Sequence, residues 1–243
     1  MEYTAFFQPE SLAATYTTSY GLVSAVEIKE QTVVGDTIPV YALKMTETVN
    51  GRETYYSWDY FNNRPGGLYS FAYSHPNGGG MQPRKLTGDV RQYRFQNRTF
   101  ASISELFRFI ESPSQNQALG SDSITLETPP FLCVKYPLSS GSEWLTTSPP
   151  TVWPIGKKVL GCVDIQVPAG TFACAHILWR YDVDTNGVWD TNIEMHDYIS
   201  QIGLVKREAI IRGIEVTGYE NPTGIGTYDV SRVMELQSTH TPD

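Results

Sequence analysis

The chain has few cysteines, few charged residues and no long apolar run. Its 243 residues include three cysteines, too few for a disulfide scaffold. Charged residues make up 18% of the chain, against roughly a quarter in an average protein. No apolar run approaches the roughly 18 residues that span a bilayer, and no basic-then-apolar segment stands at the N-terminus. We therefore expect no membrane span in this chain. Whether a signal peptide or lipid anchor precedes Met1 stays open.

Positive charge and catalytic motifs are also scarce. The net charge is −8 and no Lys/Arg cluster is present, which argues against nucleic acid as a partner because phosphate contacts need cations. The chain contains no Gly-x-Ser-x-Gly and no His-Glu-x-x-His sequence. We therefore expect a protein that is not an enzyme.

Aromatic and β-branched residues, by contrast, are abundant and alternate with polar ones. The 15 Tyr, 10 Phe and 5 Trp favour sheets. Residues 37–49 and 52–60 flank Asn50-Gly51, a strong hairpin signal. Further strands are predicted at residues 21–34, 68–74, 156–167, 171–181, 188–199, 203–214 and 228–236. One helix is predicted at 102–110, where Ile103, Leu106, Phe107 and Ile110 share a face.

These patterns predict a mainly β protein. We expect an antiparallel open half-barrel of long hairpins, with one or two short helices packed on its concave face. The most economical organisation is a single domain over residues 1–243, with a weak candidate boundary in the proline-rich loops near 113–150.

Three motifs in the second half resemble a known pattern. They are Tyr136-Pro137-Leu138 with Gly141 and Trp144, then Val167-Pro168-Ala169-Gly170-Thr171-Phe172 with Cys174, then Gly203-Leu204-Val205-Lys206-Arg207-Glu208. The series resembles uncharacterised bacterial envelope and lipoprotein families that are similar in fold to the lipoprotein carriers. The resemblance implies an envelope protein, periplasmic or lipid-anchored, that holds a lipid or another apolar molecule or meets other envelope proteins. From the residues alone, a cytoplasmic location stays open.

Large aromatic side chains supply a candidate ligand groove. Concave, largely apolar pockets are where small ligands bind. The candidate lining residues are Trp58, Tyr60, Tyr69, Phe71, Tyr73 and Trp179. The alternative is a structural or protein-interaction module whose core is filled and which takes no ligand.

A candidate calcium loop lies between two predicted strands. Asp182, Asp184, Asn186 and Asp190 supply oxygens at positions 1, 3, 5 and 9, and Gly187 stands at position 6. Position 12 lacks the usual Glu. The competing interpretation, which we favour, is a hairpin tip whose Asp residues cap the strand ends.

A third function class rests on two histidines. Strand alternation places Glu194 and His196 on one face and Asp197 on the other, and His176 lies on the neighbouring strand. Two histidines and a carboxylate could bind zinc, as in a metal-dependent hydrolase. Polar residues on a solvated sheet face are the more common reason for this pattern, so the hydrolase is the least favoured class.

Cys162 and Cys174 flank the Pro168 turn. A loop centred on Pro168 would place them opposite each other, and an oxidising compartment would then permit a disulfide. Buried free thiols are the alternative.

Overall fold

The computed structural model describes residues 2–9, 16–33, 36–49, 52–74, 91–96, 98–100, 103–111, 124–147, 153–218 and 226–239. The strands of the first half are β1 (Glu2–Pro9), β2 (Tyr16–Val33), β3 (Asp36–Val49), β4 (Arg52–Arg64), β5 (Gly67–Ser74), β6 (Arg91–Phe95) and β7 (Arg98–Phe100). Helix α1 (Ile103–Glu111) follows. The remaining strands are β8 (Thr125–Lys135), β9 (Glu143–Thr147), β10 (Ile155–Val167), β11 (Gly170–Tyr181), β12 (Ile193–Ser200), β13 (Gly203–Gly218) and β14 (Gly226–Ser238).

All strands belong to one antiparallel sheet that is not closed into a barrel. The order is β8-β5-β4-β3-β2-β1-β14-β13-β12-β11-β10-β9, and β6 pairs with β13 and β7 off this path. The mainly β, open antiparallel architecture predicted from sequence is confirmed. That residues 1–243 form a single domain stays a prediction.

The sheet curls so that one face of β10–β14 becomes concave. The N–H of Ala169, in the β10–β11 turn, donates to the carbonyl of Leu236 on β14 at 3.1 Å, although these strands are not neighbours. Lys157 on β10 likewise reaches the carbonyl of Cys133 on β8, the strand at the far end of the order.

Cross-strand register fixes which residues share the concave face, because direct partners point the same way. Two adjacent rows matter for the site. One is Lys157, Trp179, Met195, Ala209 and Arg232, and the other is Ile177, Asp197, Arg207 and Met234.

Helix α1 packs on this face, as predicted. Its Leu106, Phe107, Phe109 and Ile110 are buried in the same core cluster as the concave residues of β10–β14. Ile103, which packs against the cluster, and Leu106, Phe107 and Ile110 have the i, i+3, i+4, i+7 spacing of one helical stripe, which explains why so short a segment is helical here. The described part of the chain contains no helix long and apolar enough to cross a membrane.

The β10–β11 turn lies between the strands predicted at residues 156–167 and 171–181. Val167 pairs directly with Gly170, so the loop consists of Pro168 and Ala169, and Gly170 has φ +132°, a backbone conformation that favours glycine. The ring of Phe172 lies within 4 Å of where a side chain on Gly170 would begin.

A two-residue loop also corrects the expectation for the cysteines. Cys162 pairs with Ala175 and Cys174 with Val163, so the two thiols lie on opposite faces and both are free. The expectation of facing cysteines was wrong by one residue, because the loop is centred between Pro168 and Ala169. In a strand, a shift of one residue reverses the face.

Candidate functional site

Five charged residues meet on the concave face, within the apolar core. We call Glu111, Lys157, Asp197, Arg207 and Arg232 the charge network. Four of them occupy strand positions that otherwise carry apolar residues, and Glu111 is the last residue of α1. Lys157, Asp197 and Arg232 are each less than 5% exposed. Burying charged groups costs free energy unless they are paired, so we expect these five residues to form ion pairs and hydrogen bonds with one another.

Asp197 is the member of the charge network whose carboxylate accepts three hydrogen bonds. Its carboxylate accepts hydrogen bonds from Arg207 Nε at 2.6 Å, Arg207 Nη2 at 2.8 Å and Trp179 Nε1 at 2.8 Å. Burial acts to raise the pKa of Asp197, but the charge and hydrogen bonds of Arg207, with smaller contributions from Lys157 and Trp179, hold the pKa below its usual range. Asp197 is therefore a carboxylate at neutral pH.

The Trp179 indole lies between two cations. Lys157 Nζ is 3.5 Å from its ring centroid and the guanidinium carbon of Arg207 is 4.9 Å from it. Lys157 also donates to the carbonyl oxygen of Cys133 at 2.9 Å. Burial lowers the pKa of Lys157 to about 8, although Asp197 acts in the opposite direction. Within the described part of the chain, no carboxylate oxygen lies within 4.0 Å of Lys157 Nζ.

Glu111 ties α1 to the sheet. Its Oε1 is 2.7 Å from Arg232 Nη1, and its Oε2 is 3.7 Å from Arg207 Nη1. The guanidinium of Arg232 also lies 5.3 Å from the centroid of the Phe107 ring. The network therefore contains three cations and two carboxylates, with the positive groups on the sheet and one of the two negative groups on the helix.

The residues of the candidate ligand groove separate into different places. Trp58, Tyr60, Tyr69 and Phe71 lie together in a cluster on β4 and β5 with Val40 and Ala42. Tyr73 is buried on β5 outside that cluster. Trp179 belongs to the other cluster, with α1 and β10–β14. Four of the six residues are thus brought together, and Trp179 instead contacts three members of the charge network.

The candidate calcium residues form a hairpin tip whose oxygens already have partners. Asp182 accepts from the N–H groups of Asn186 and Gly187 at 3.0 and 2.9 Å, and Asp190 accepts from the N–H of Val183 at 2.7 Å. The side-chain amide of Asn186 donates to Asp184 at 2.8 Å. Among the residues that the structure describes, no group of three or more His, Cys, Asp or Glu is placed to hold a metal ion.

This geometry makes Asp182 a capping residue of the tip. Asp182→Ala is expected to lower the free energy of unfolding by about 1–2 kcal/mol, because two backbone N–H groups lose their acceptor. The loss is expected to be the same in calcium and in chelator, and the melting temperature of the unchanged protein should not differ between them. Urea unfolding under both conditions measures this. A calcium-dependent rise in melting temperature that Asp182→Ala abolishes would favour the calcium loop instead.

The histidines lie together on the opposite, outer face. His176 Nε2 and His196 Nδ1 are 2.9 Å apart, and His196 Nε2 is 3.3 Å from Glu194 Oε1. The proximity inferred from strand alternation is thus confirmed, with Asp197 on the other face as expected. Burial, together with the nearby His196, lowers the pKa of His176. Glu194 also pairs with Arg212 at 3.0 Å. The geometry gives no further support for a zinc-dependent hydrolase, which stays a prediction.

Comparisons with known proteins found no relative of this chain. No family model matches the chain, and neither does any curated protein or solved structure. The resemblance to envelope lipoproteins therefore stays a prediction. The class of protein that the structure itself defines is an open antiparallel sheet with a helix and a charge network on its concave face.

Proposed function

We propose that this protein is a non-catalytic binding protein of the bacterial envelope that holds a lipid or another apolar molecule against the concave face of its sheet. The envelope location rests on the motif resemblance alone. The binding role rests on one observation: the described segments that pack on the apolar core of β10–β14 include a helix of only nine residues.

A helix as short as α1 could leave the concave face and return to it reversibly. Isolated helices shorter than about 12–15 residues are marginal in water, so α1 owes its stability to the face on which it packs. Its displacement would expose apolar residues of five strands around the charge network without disturbing the backbone pairing of those strands. Elements that move for binding come from the less stable parts of a structure.

One observation favours the second candidate, a protein-interaction module with a filled core. Leu106, Phe107 and Ile110 are fully buried, so α1 fills the space that a ligand would take. The two candidates differ in whether that filled state is the resting state of a carrier or the permanent core.

Native mass spectrometry, together with calorimetry against dodecanol, distinguishes the two candidates. For a carrier, we expect either a co-purified apolar molecule from detergent-free preparations or saturable binding of dodecanol accompanied by a change in Trp fluorescence, since Trp179 lies in the cluster under α1. Ligand-free protein that binds no dodecanol would contradict the carrier proposal and favour the filled module.

A further inference from the structure

We propose that the ligand is a single-chain amphiphile whose carboxylate takes the place of the Glu111 carboxylate between Arg207 and Arg232. This inference rests on the proposed carrier function and specifies the chemistry that the concave face recognises.

Glu111 occupies the position of an anionic ligand. It ends α1, where the partial negative charge of the helix C-terminus disfavours a carboxylate. The compensation comes from the sheet, through Arg232 at 2.7 Å and Arg207 at 3.7 Å. The Glu111 carboxylate is therefore stabilised by ion pairs with these two cations. A carboxylate of another molecule at the same position would form the same ion pairs.

Displacement of α1 would take the Glu111 carboxylate away from Arg207 and Arg232. Arg232 is 3% exposed and is surrounded by the apolar core, so removal of Glu111 would leave its guanidinium without that counter-charge in a poorly solvated place. Asp197 is already engaged by Arg207 and Trp179. Lys157, which has no carboxylate within 4.0 Å among the described residues, adds further positive charge to this face. An open concave face therefore presents Lys157, Arg207 and Arg232 beside apolar side chains.

The apolar part of the ligand follows from the side chains that α1 would vacate. Leu106, Phe107 and Ile110 pack beside Glu111 against the same five strands. An alkyl chain that filled their volume would lie in contact with the strand residues that now contact α1, with its terminal carboxylate at the two guanidinium groups. That combination describes a fatty-acid-like molecule better than a neutral lipid.

The test compares dodecanoate with dodecanol by calorimetry at equal ionic strength, with acetate as the head-group control. The unchanged protein is expected to bind dodecanoate about tenfold more tightly than dodecanol, and acetate not measurably. Glu111→Gln removes the competing carboxylate and is expected to tighten dodecanoate binding about tenfold further. Glu215→Gln, an exposed member of the Arg94–Glu215 pair, is the matched control and should bind like the unchanged protein.

A second variant keeps the inference testable if single changes disturb folding. Glu111→Gln combined with Arg232→Met removes both charges of the 2.7 Å pair, a change that buried pairs tolerate better than the loss of one partner. It should bind dodecanol normally and lose its preference for dodecanoate. Equal affinity for both probes in every folded variant would overturn the carboxylate inference and leave the carrier proposal standing. Binding of neither probe by the unchanged protein would overturn both.

Discussion

Asp197→Ala is expected to lower the free energy of unfolding by about 3–5 kcal/mol. The carboxylate of Asp197 is buried and accepts three hydrogen bonds, two from Arg207 and one from Trp179. Its removal leaves the Arg207 guanidinium in the core with the Glu111 carboxylate 3.7 Å away as its remaining carboxylate neighbour among the described residues. Urea unfolding followed by fluorescence measures the loss, with an unchanged slope as evidence that the unfolded state is unaffected.

The matched control for this variant is Glu194→Ala, on the same strand and on the outer face. Glu194 pairs with Arg212 at 3.0 Å, but its side chain is 47% exposed, and exposed pairs contribute at most about 1 kcal/mol. If the two variants lost equal stability, Asp197 would not be part of a desolvated network. Asp197→Ala combined with Arg207→Met should recover part of the loss, because it removes the unpaired guanidinium as well.

The contribution of Asp197 also has a defined pH dependence. Its pKa in the folded protein lies below the usual value. The stabilisation is therefore fully present above the unfolded pKa of about 4 and is lost as the pH falls through the folded value. Asp197 thus predisposes the protein to acid unfolding.

Alternation and turn chemistry were sufficient to predict most strands and the helix. The sequence predicts strands on either side of Asn50-Gly51, and β3 and β4 end and begin beside it, although the two turn residues lie outside the described part of the chain. The helix begins one residue later than predicted and ends one residue later. Residues 75–83, whose three consecutive glycines predict a loop, and Ser102, a candidate cap of the helix, also lie outside the described residues.

The start of β12 shows where local patterns fail. A strand was predicted from Val188, but β12 begins at Ile193. Residues 182–192 form the capped tip instead, in which Asp182 and Asp190 bind backbone N–H groups that a strand would use for pairing. Asp and Asn side chains compete with regular structure by bonding to nearby backbone groups. The high number of Asp and Asn residues in this segment could have indicated a turn and not a strand.

The aromatic groove could not be predicted as one site because strand order is not a local property. Tyr60 and Phe71 lie on neighbouring strands and meet, as expected for a hairpin. Trp179 lies on β11, and the order that separates it from β4 depends on the pairing of β1 with β14. Nothing in the residues of either strand specifies that long-range pairing.

The alternation that predicts the strands did not predict the charge network, although the sequence contains charged residues at positions where apolar ones are expected. Lys157 stands between Ile155 and Val159 at alternate positions, and Arg207 stands between Val205 and Ala209. A charged residue inside an alternating apolar series is rarely buried without a partner. The partners come from different strands and from α1, so the signal identifies candidate members but not their contacts.

Lys157 is expected to give the protein a stability that rises with pH in the alkaline range. Its folded pKa is about 8, because burial disfavours the ammonium, and its ordinary value is 10.5. The unfolded chain therefore binds more protons between these values, and unfolding becomes less favourable as the pH rises through them. A difference of this size corresponds to about 3 kcal/mol. Comparison with Lys157→Met isolates this contribution from tyrosines and thiols that titrate in the same range.

The free energy of unfolding of the unchanged protein minus that of Lys157→Met should rise by up to about 3 kcal/mol between pH 8 and 10.5. Lys158→Met is the control, because Lys158 is the next residue, lies on the opposite face and pairs with Glu143 at 2.9 Å with 39% of its side chain exposed. It reports the effect of a Lys→Met substitution at a solvated position of the same strand. A flat difference curve for Lys157→Met would mean that the Lys157 ammonium remains hydrated. The attraction of this face for a carboxylate would then rest on Arg207 and Arg232 alone.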